Sequence, residues 1–329
     1  MMDLNQKTIL ITGGAGFIGS NLALEIEKLN PLSNIVVFDS FRGNNFLSNG
    51  NLKSLGHYKN LLNFKGTVIE GDITENEDLE ALFNSFNFDI IFHLAAISDT
   101  TALEQDLVMK TNVNAYVNIL DKAIKQKSTL VYASSAATYG NSPHPQIVGI
   151  ESPLNVYGYS KLVMDNISKK YYNSGINIIG LRFFNVYGNL EYHKGKTAST
   201  ILQFGLQFLQ GKRPKLFNGS SEIYRDFVYI KDVVNCCILA ANNNESGVYN
   251  VGTGIARSFE DVFHSVRTNL LSDITPKYID NKFTKQYQFF TQADITSTQS
   301  DLGYYPKYTL EDGVKDYISE IKKIFEDEF

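Results

Sequence analysis

The chain has 329 residues, 43% of them hydrophobic and 20% charged, and carries a formal net charge of −5. That length supports a sizeable core and about two domains, and the composition excludes disordered and fibrous classes. It has no long lysine/arginine run and no stretch of about 18 apolar residues, so neither a nucleic-acid partner nor a membrane partner is expected.

Taken in chain order, apolar runs alternate with helical patterns through the first half. Thr8–Thr12 reads as a short buried strand, and Phe17–Leu29 follows it as a helix. Ile35–Phe38, Thr67–Glu70, Asp89–Leu94, Leu130–Ala133 and Ile176–Phe183 read as further strands. Strands with Val, Ile and Phe on both faces, separated by helices, predict a parallel sheet covered on both sides. The fold class is therefore α/β, a doubly wound Rossmann sheet. Between Gly43 and Asn63 the chain is polar and Asn-rich; a loop over the adenosine end of a cofactor site and a plain solvated connection are both open readings. After Phe184 the elements shorten: a helix near Ala198–Leu209, strands near Lys215–Phe217 and Phe227–Ile230, and an amphipathic helix over Leu310–Phe325. With no linker or repeat in view, the second domain is expected to interweave with the first. Residues 1–182 and 228–255 form the dinucleotide-binding part, and 183–227 and 256–329 form a smaller α+β part for substrate. The two cysteines, Cys236 and Cys237, are neighbours in an apolar helical stretch. They read as core packing in a reducing compartment, and the chain is expected to be cytoplasmic.

The first strand runs into Gly13-Gly14-Ala15-Gly16-Phe17-Ile18-Gly19, which opens a helix. Gly13 suits the tight turn, Gly16 the approach of a pyrophosphate, and Gly19 the packing of helix on sheet, while the helix N-terminus offers N–H groups to the anion. Asp39 closes the second strand, where a carboxylate accepts ribose hydroxyls and favours NAD. Arg42, three residues on, has the fork of donors that favours the 2′-phosphate of NADP. Both readings stand.

Tyr157 and Lys161 open another predicted helix, and their i, i+4 spacing puts them on one face. A phenol near pKa 10 is a poor base at neutral pH; a neighbouring ammonium favours the phenolate. Upstream, Ser134 and Ser135 leave the end of the fifth strand, where ligands of such sheets sit. Ser135 is chosen as the third member of the reaction centre, against the alternative that it merely caps local backbone.

These three motifs resemble the extended short-chain dehydrogenase/reductase family along essentially the whole chain. Further segments resemble the ADP-L-glycero-D-manno-heptose 6-epimerases: SSAATYG at Ser134–Gly140, PLNVYGYSK at Pro153–Lys161, LRFFNVYG at Leu181–Gly188, HKG at His193–Gly195, PKLFNGS at Pro214–Ser220, RDFVYIKDV at Arg225–Val233, NVGTG at Asn250–Gly254 and YQFFTQADIT at Tyr287–Thr296. The resemblance implies inversion of C6 of an ADP-heptose through a 6-keto intermediate, with tightly bound NADP (or NAD) as the only cofactor and no metal. It implies that Tyr157 and Lys194 each handle the proton at one orientation of the C6 oxygen. By the same resemblance Phe17, Ile18, Ser40, Leu94, Ala95, Ala96, Ile97, Ser98, Asn112 and Val186 join the cofactor site. Asn185, Lys196, Gln203, Phe217, Asn218, Gly219, Ser220, Arg225 and Tyr287 join the substrate site, with Arg225 on the diphosphate. Lys196 and Gln203 stand where that family often has Ser and His. The loop before Lys194 reads Gly188-Asn189-Leu190-Glu191 in place of Gly-Pro-Arg-Glu. The alternative is a 4-epimerase of another nucleotide sugar; a dehydratase is disfavoured because Ala136 and Ala137, not a carboxylate, follow Ser135. The same fold without catalysis would be a dinucleotide sensor, which has no need of Ser135, Tyr157 and Lys161 together. A homo-oligomer is expected.

Overall fold

Strands and helices alternate along the first half of the computed structural model, which describes residues 4–280 and 288–329. They are β1 (Thr8–Thr12), α1 (Phe17–Leu29), β2 (Asn34–Asp39), β3 (Thr67–Glu70), α2 (Asn76–Ser85), β4 (Ile90–His93), α3 (Gln105–Met109), α4 (Ala115–Gln126), β5 (Thr129–Ser135), α5 (Val156–Lys170) and β6 (Ile178–Phe183). The second half continues with β7 (Asn185–Tyr187), α6 (Thr200–Leu209), β8 (Lys215–Phe217), β9 (Tyr224–Tyr229), α7 (Ile230–Ala240), β10 (Gly247–Val251), β11 (Ala256–Ser258), α8 (Phe259–Asn269), β12 (Lys277–Ile279), α9 (Thr296–Leu302) and α10 (Leu310–Glu328).

Seven strands form the central sheet in the order β10-β6-β5-β4-β1-β2-β3, and every neighbouring pair is parallel. The alternation within β1 shows why a continuous apolar run is required there. Ile9 and Ile11 enter one core with Leu22 and Ile26 of α1, whereas Leu10 enters the other with Leu79 of α2 and Ile119 of α4. All three β1 side chains are fully buried, so neither face of the sheet meets water at this central strand. The order of the strands reverses between β1 and β4, and the chain leaves their carboxyl ends toward opposite faces. A crevice opens at that point, as in other doubly wound sheets.

The chain passes between the sheets more than once. Only Phe184 separates β6 of the main sheet from β7, which belongs to a small sheet β11-β9-β7. The chain then returns, and β10 becomes the edge strand beside β6. A parallel pair β12-β8 stands apart from both, and α6, α8 and α10 pack on one another beneath it. Thr8–Thr12, Thr67–Glu70 and Lys215–Phe217 have the expected bounds, and the other expected strands differ at their ends by at most three residues. Cys236 and Cys237 are buried and unbridged in α7, which packs against α1. Among the described residues, no helix is long and apolar enough to cross a membrane.

One feature of the helical layer was not expected. Between α3 and α4 the backbone makes a π turn at Lys110–Asn114, a device that re-aims side chains within an otherwise regular helix. It turns Asn112 inward to the end of the β4 loop.

Candidate active site

A cleft of about 610 Å³ runs along the carboxyl ends of the central strands. Gly13, Gly16, Phe17, Ile18 and Gly19 line one end, with Asp39 and Ser40 beyond them. The glycines behave as their spacing requires. Gly13 has φ +71°, and a Cβ on Gly19 would stand 2.3 Å from the Gly13 carbonyl oxygen, so α1 could not lie so close to the loop. A Cβ on Gly16 meets only that same carbonyl, at 3.1 Å, leaving the space before it open to a ligand. An open backbone cradle at a helix N-terminus fits the pyrophosphate of a dinucleotide.

Asp39 ties the end of β2 to this cradle. Its Oδ2 accepts the Ala15 N–H at 2.9 Å and its Oδ1 accepts the Phe41 N–H at 2.8 Å. Burial raises its carboxyl above the ordinary range, against the pull of these amides. Each oxygen keeps a further lone pair for a ribose hydroxyl. The Asn-rich loop is not a plain solvated connection: Asn51, Lys53 and Ser54 line the cleft that Asp39 and Ser40 also line.

Arg42 requires a correction. It does not line the cleft; its guanidinium donates to the carbonyl of His193, and its Nε is buried without a partner. It braces the loop that carries Lys194. The cation that does line the adenosine end is Lys53, whose ammonium lies 3.7 Å from Asp72. Asn112 is likewise a support and not a wall. Its amide accepts the Ile97 N–H at 2.9 Å and donates to the Ile97 carbonyl and to Ser160 Oγ, both at 3.0 Å. It thereby fixes the segment Leu94, Ala95, Ala96, Ile97 and Ser98, all of which line the cleft.

Further along the cleft stand Ser135, Tyr157, Lys161, Asn185, Val186 and Arg225, while Lys194 lines it beside Phe17 of the cradle. α5 begins at Asn155, whose side chain caps the helix by accepting the Gly158 N–H at 2.8 Å. A Cβ on Gly158 would meet the Ala137 carbonyl at 2.3 Å. The glycine inside Tyr157-Gly158-Tyr159 therefore lets α5 approach the turn that carries Ser135. Tyr157 is buried, which raises its phenol, and the neighbouring Ser135 hydroxyl opposes that. Ser135 Oγ accepts the Ala137 N–H at 3.1 Å, as the capping alternative expects, and it also lines the cleft beside Tyr157. Ser134 is excluded by its partner, since its hydroxyl donates to Asp165 at 3.0 Å.

Lys161 donates to the Ala133 carbonyl at 2.7 Å, and its ammonium lies 5.9 Å from the Tyr157 ring centroid. Burial pushes it down to about 8, against the attraction of Asp165. Behind it, Arg182 is fully buried and pairs with Asp165 at 2.8 Å and Glu151 at 2.5 Å. A buried ion pair held from several sides fixes one arrangement of β5, β6 and α5, and losing one partner of such a pair costs about 3–5 kcal/mol.

Lys194 lies in a 3₁₀ segment, Tyr192–Thr197. Its ammonium sits 5.1 Å from the Phe17 ring centroid. Burial holds it below the ordinary lysine range, against the pull of Glu191. Glu191, fully buried, clamps both ends of the loop: it accepts from the Gly188 N–H at 3.1 Å, and from the Ser199 N–H and hydroxyl, both at 2.7 Å. The unusual Asn189-Leu190 pair is accommodated by the clamp and by Asn21 of α1, which donates to the Asn189 carbonyl at 2.9 Å.

Of the remaining expected substrate residues, Gln203, Phe217 and Ser220 line a second cavity next to the cleft. Lys196 is exposed, and neither it nor Asn218 nor Gly219 lines either space. The Asn218 side chain turns instead to Asp280, at 2.8 Å. Tyr287 lies outside the described residues. Among the lining residues that went unseen in the sequence are Lys53; Gln288, which donates to the Gly140 carbonyl at 2.6 Å; and Thr291, whose buried hydroxyl has no protein partner. All three line the cleft. The first half of YQFFTQADIT carried a signal for the last two, but the motif was read there only at Tyr287.

A doubly wound sheet with a glycine cradle, an acidic β2 end and a Tyr/Lys/Ser centre defines a nicotinamide-dinucleotide enzyme of the epimerase and dehydratase type. Residues 9–252 match the model of the NAD dependent epimerase/dehydratase family, and the chain belongs to that family. Among solved structures, it is similar to the ADP-L-glycero-D-manno-heptose-6-epimerase of Helicobacter pylori, at 48% identity over 97% of each chain and a TM-score of 0.89. It is also similar, at 26% identity, to the UDP-N-acetylglucosamine 4-epimerase of Methanobrevibacter ruminantium, over 100% of each chain and with a TM-score of 0.84. The UDP-glucose 4-epimerase of Thermotoga maritima gives the same identity and TM-score over 96% of this chain and 99% of that one.

Proposed function

We propose that the protein is an ADP-glyceromanno-heptose 6-epimerase. It inverts C6 of ADP-D-glycero-β-D-manno-heptose to give ADP-L-glycero-β-D-manno-heptose, retains NADP between turnovers, and supplies heptose for lipopolysaccharide core. The observation that carries this reading is Lys194, a second basic group in the cleft that holds Tyr157, with its ammonium destabilised by burial. Inversion at C6 presents the C6 oxygen in two orientations, because the ketone must turn about C5–C6 while the cofactor face stays fixed. Two proton-handling groups answer that demand. Tyr157, held by Ser135, serves one orientation and Lys194 the other; each takes a proton in one direction of the reaction and returns it in the reverse. When bound, the dinucleotide supplies the redox chemistry, accepting a hydride from C6 and giving it back. Lys161 keeps positive charge beside Tyr157 and favours the phenolate. Asn185 faces the sugar, and Arg225 offers its fork to the diphosphate.

NADP is supported by Lys53 and Ser40 at the adenosine end, where an ammonium and a hydroxyl suit a 2′-phosphate; Asp39 favours NAD as the alternative. A nucleotide-sugar 4-epimerase would leave Lys194 without a task. The protein works in the cytoplasm as a homo-oligomer, and sedimentation velocity measures its assembly. Parallel incubations with ADP-D-glycero-D-manno-heptose and UDP-glucose test the reaction. Inversion of the first sugar alone supports the 6-epimerase, and turnover of the second alone overturns it.

A further inference from the structure

Four aromatic rings form a connected cluster beside the cleft. His57 stacks on His193 with 3.6 Å between ring centroids and on Tyr58 with 4.9 Å, and Tyr192 meets His193 edge-on at 5.2 Å. The closest of these contacts joins two segments far apart in sequence, the Asn-rich loop and the 3₁₀ segment Tyr192–Thr197. Neither imidazole lines the cleft, whereas Lys194, the next residue after His193, does.

The His57 side of the stack is fixed from the glycine cradle. Its backbone N–H donates to the Ala15 carbonyl at 3.0 Å, and the buried Asn60 side chain donates to the same carbonyl at 3.0 Å. His57 Nδ1 accepts the Lys59 N–H at 3.2 Å, which assigns the proton of the neutral ring to Nε2 and sets the plane of the ring. Arg42 adds a second tie. Its backbone N–H donates to the Gly56 carbonyl at 2.9 Å and its guanidinium to the His193 carbonyl, so it links the residue before His57 to the residue before Lys194. Burial lowers both imidazoles, His193 to about 4, and the cations of Arg42 and Lys59 add to this, against Glu328. Two neutral rings can face one another at this distance, where two imidazolium ions would repel.

We propose that His57 is a positioning residue for Lys194: its ring is the shelf on which His193 rests, and the stack holds the Lys194 ammonium at the start of α1. That ammonium sits 5.1 Å from the ring centroid of Phe17, the first residue of α1, and Ala15, which anchors His57, lies two residues earlier. The stack and the ammonium are thus referred to the same short stretch of backbone. Glu191 secures the two ends of the segment from Gly188 to Ser199, and the stack secures its middle. Such a contact matters to a reaction because displacing a reacting group by about 1 Å costs up to about 10²-fold in rate. This assignment rests on the reading of Lys194 as the second proton-handling group.

Three substitutions separate stacking from the other things His57 does, and all keep its backbone bond to Ala15. H57A removes both the ring and the acceptor for the Lys59 N–H; H57F keeps a ring without the acceptor; H57N keeps an acceptor without the ring. Each dinucleotide-loaded variant is assayed for kcat and KM with ADP-D-glycero-D-manno-heptose. In parallel, the Lys194 resonance of isotopically labelled protein, assigned through Lys194→Met, is titrated by NMR. H57A and H57N are expected to lose about 10–100-fold in kcat with KM within about twofold, and H57F to stay within about threefold of the parental kcat. Lys194 titrates closer to the ordinary lysine range in H57A and H57N, as its ammonium is released toward water, and at the parental position in H57F. Bound dinucleotide and circular dichroism stay at parental values. An H57A chain with parental kcat and an unmoved Lys194 overturns the assignment, as does rescue by H57N in place of H57F, which would make His57 a cap only; the H57F/H57N pair also decides where H57A unfolds. The titration needs no turnover. A Lys194 that responds to the ring in a chain that leaves ADP-heptose unchanged overturns the heptose reaction alone, whereas turnover with a Lys194 indifferent to the ring overturns the positioning role alone.

Discussion

At the scale of single residues, burial of charge governs the site. Lys161 titrates near 8 in the folded protein, against about 10.4 for a free lysine. Its folded value is the lower one, so between those values the unfolded chain binds more protons and stability rises with pH. The contribution is fully present above the unfolded value and is lost as pH falls through about 8. Lys161→Met removes the buried ammonium. In dinucleotide-stripped protein, the stability of the variant relative to the parent is expected to be highest at pH 7 and to decline toward pH 10 in urea titrations. A difference independent of pH would mean that Lys161 is not desolvated. The two proton-handling groups give a second expectation. Tyr157→Phe and Lys194→Met each lose epimerase activity by about 10²–10⁴-fold, yet each exchanges hydride in single turnovers with an aldehyde analogue bound in the remaining orientation. A Lys194→Met variant that epimerises at the parental rate returns Lys194 to the role of a loop residue. A third concerns the 2′-phosphate: Lys53→Ala weakens NADP binding by about tenfold more than NAD binding, while Arg42→Ala affects the two equally. Fluorescence titrations with both dinucleotides decide it.

Tyr157, Lys161 and Ser135 were legible because their spacing and their position after a strand encode a shared face. Arg42 was misread because sequence distance from Asp39 says nothing of direction: its chain turns away from the cleft toward His193. Asn112 was placed in the cofactor cleft, but the π turn that redirects it to Ile97 has no residue signature.

Elements decide where those residues stand. The loop from Gly188 to Ser199 is fixed by the buried Glu191, which holds both of its ends. Glu191→Ala leaves the Gly188 and Ser199 amides without their partner, and unsatisfied buried donors cost about 1–3 kcal/mol each. The variant is expected to melt several degrees lower and to lose epimerase activity at least about tenfold, while keeping its dinucleotide, since the glycine cradle lies elsewhere. Glu191→Gln, which retains an acceptor, restores part of both. If Glu191→Ala epimerises normally, the clamp does not position Lys194. The clamp was invisible in the sequence, where Glu191 looked like one charge in a polar loop. The inner strands were visible because β1, β2, β4 and β6 are buried on both faces, and that requirement is written as runs of Val, Ile, Leu and Phe. The short strands β7, β11 and β12 have three residues each and too little pattern to declare themselves.

For the whole molecule, the central sheet supplies the glycine cradle, and β7 and β9 bring Asn185, Val186, Arg225 and Phe227 to the same cleft. The alternation of strands and helices announced the first of these. The second depends on long-range pairings, such as Asn250, which accepts from Tyr139 at 2.6 Å and donates to Asp294 at 2.9 Å, and these are not local in sequence. A redox-neutral reaction in this arrangement gives the dinucleotide no reason to leave. Acid extraction of freshly purified protein is expected to release NADP or NAD in near-stoichiometric amount. The most direct measurement combines these expectations: purified protein, with no dinucleotide added, is incubated with ADP-D-glycero-D-manno-heptose and the C6 configuration is followed by NMR. The account predicts conversion to an equilibrium mixture of the two C6 epimers by the parental chain and none by Lys194→Met; an unchanged C6 with the parental chain, although dinucleotide is bound, would contradict it.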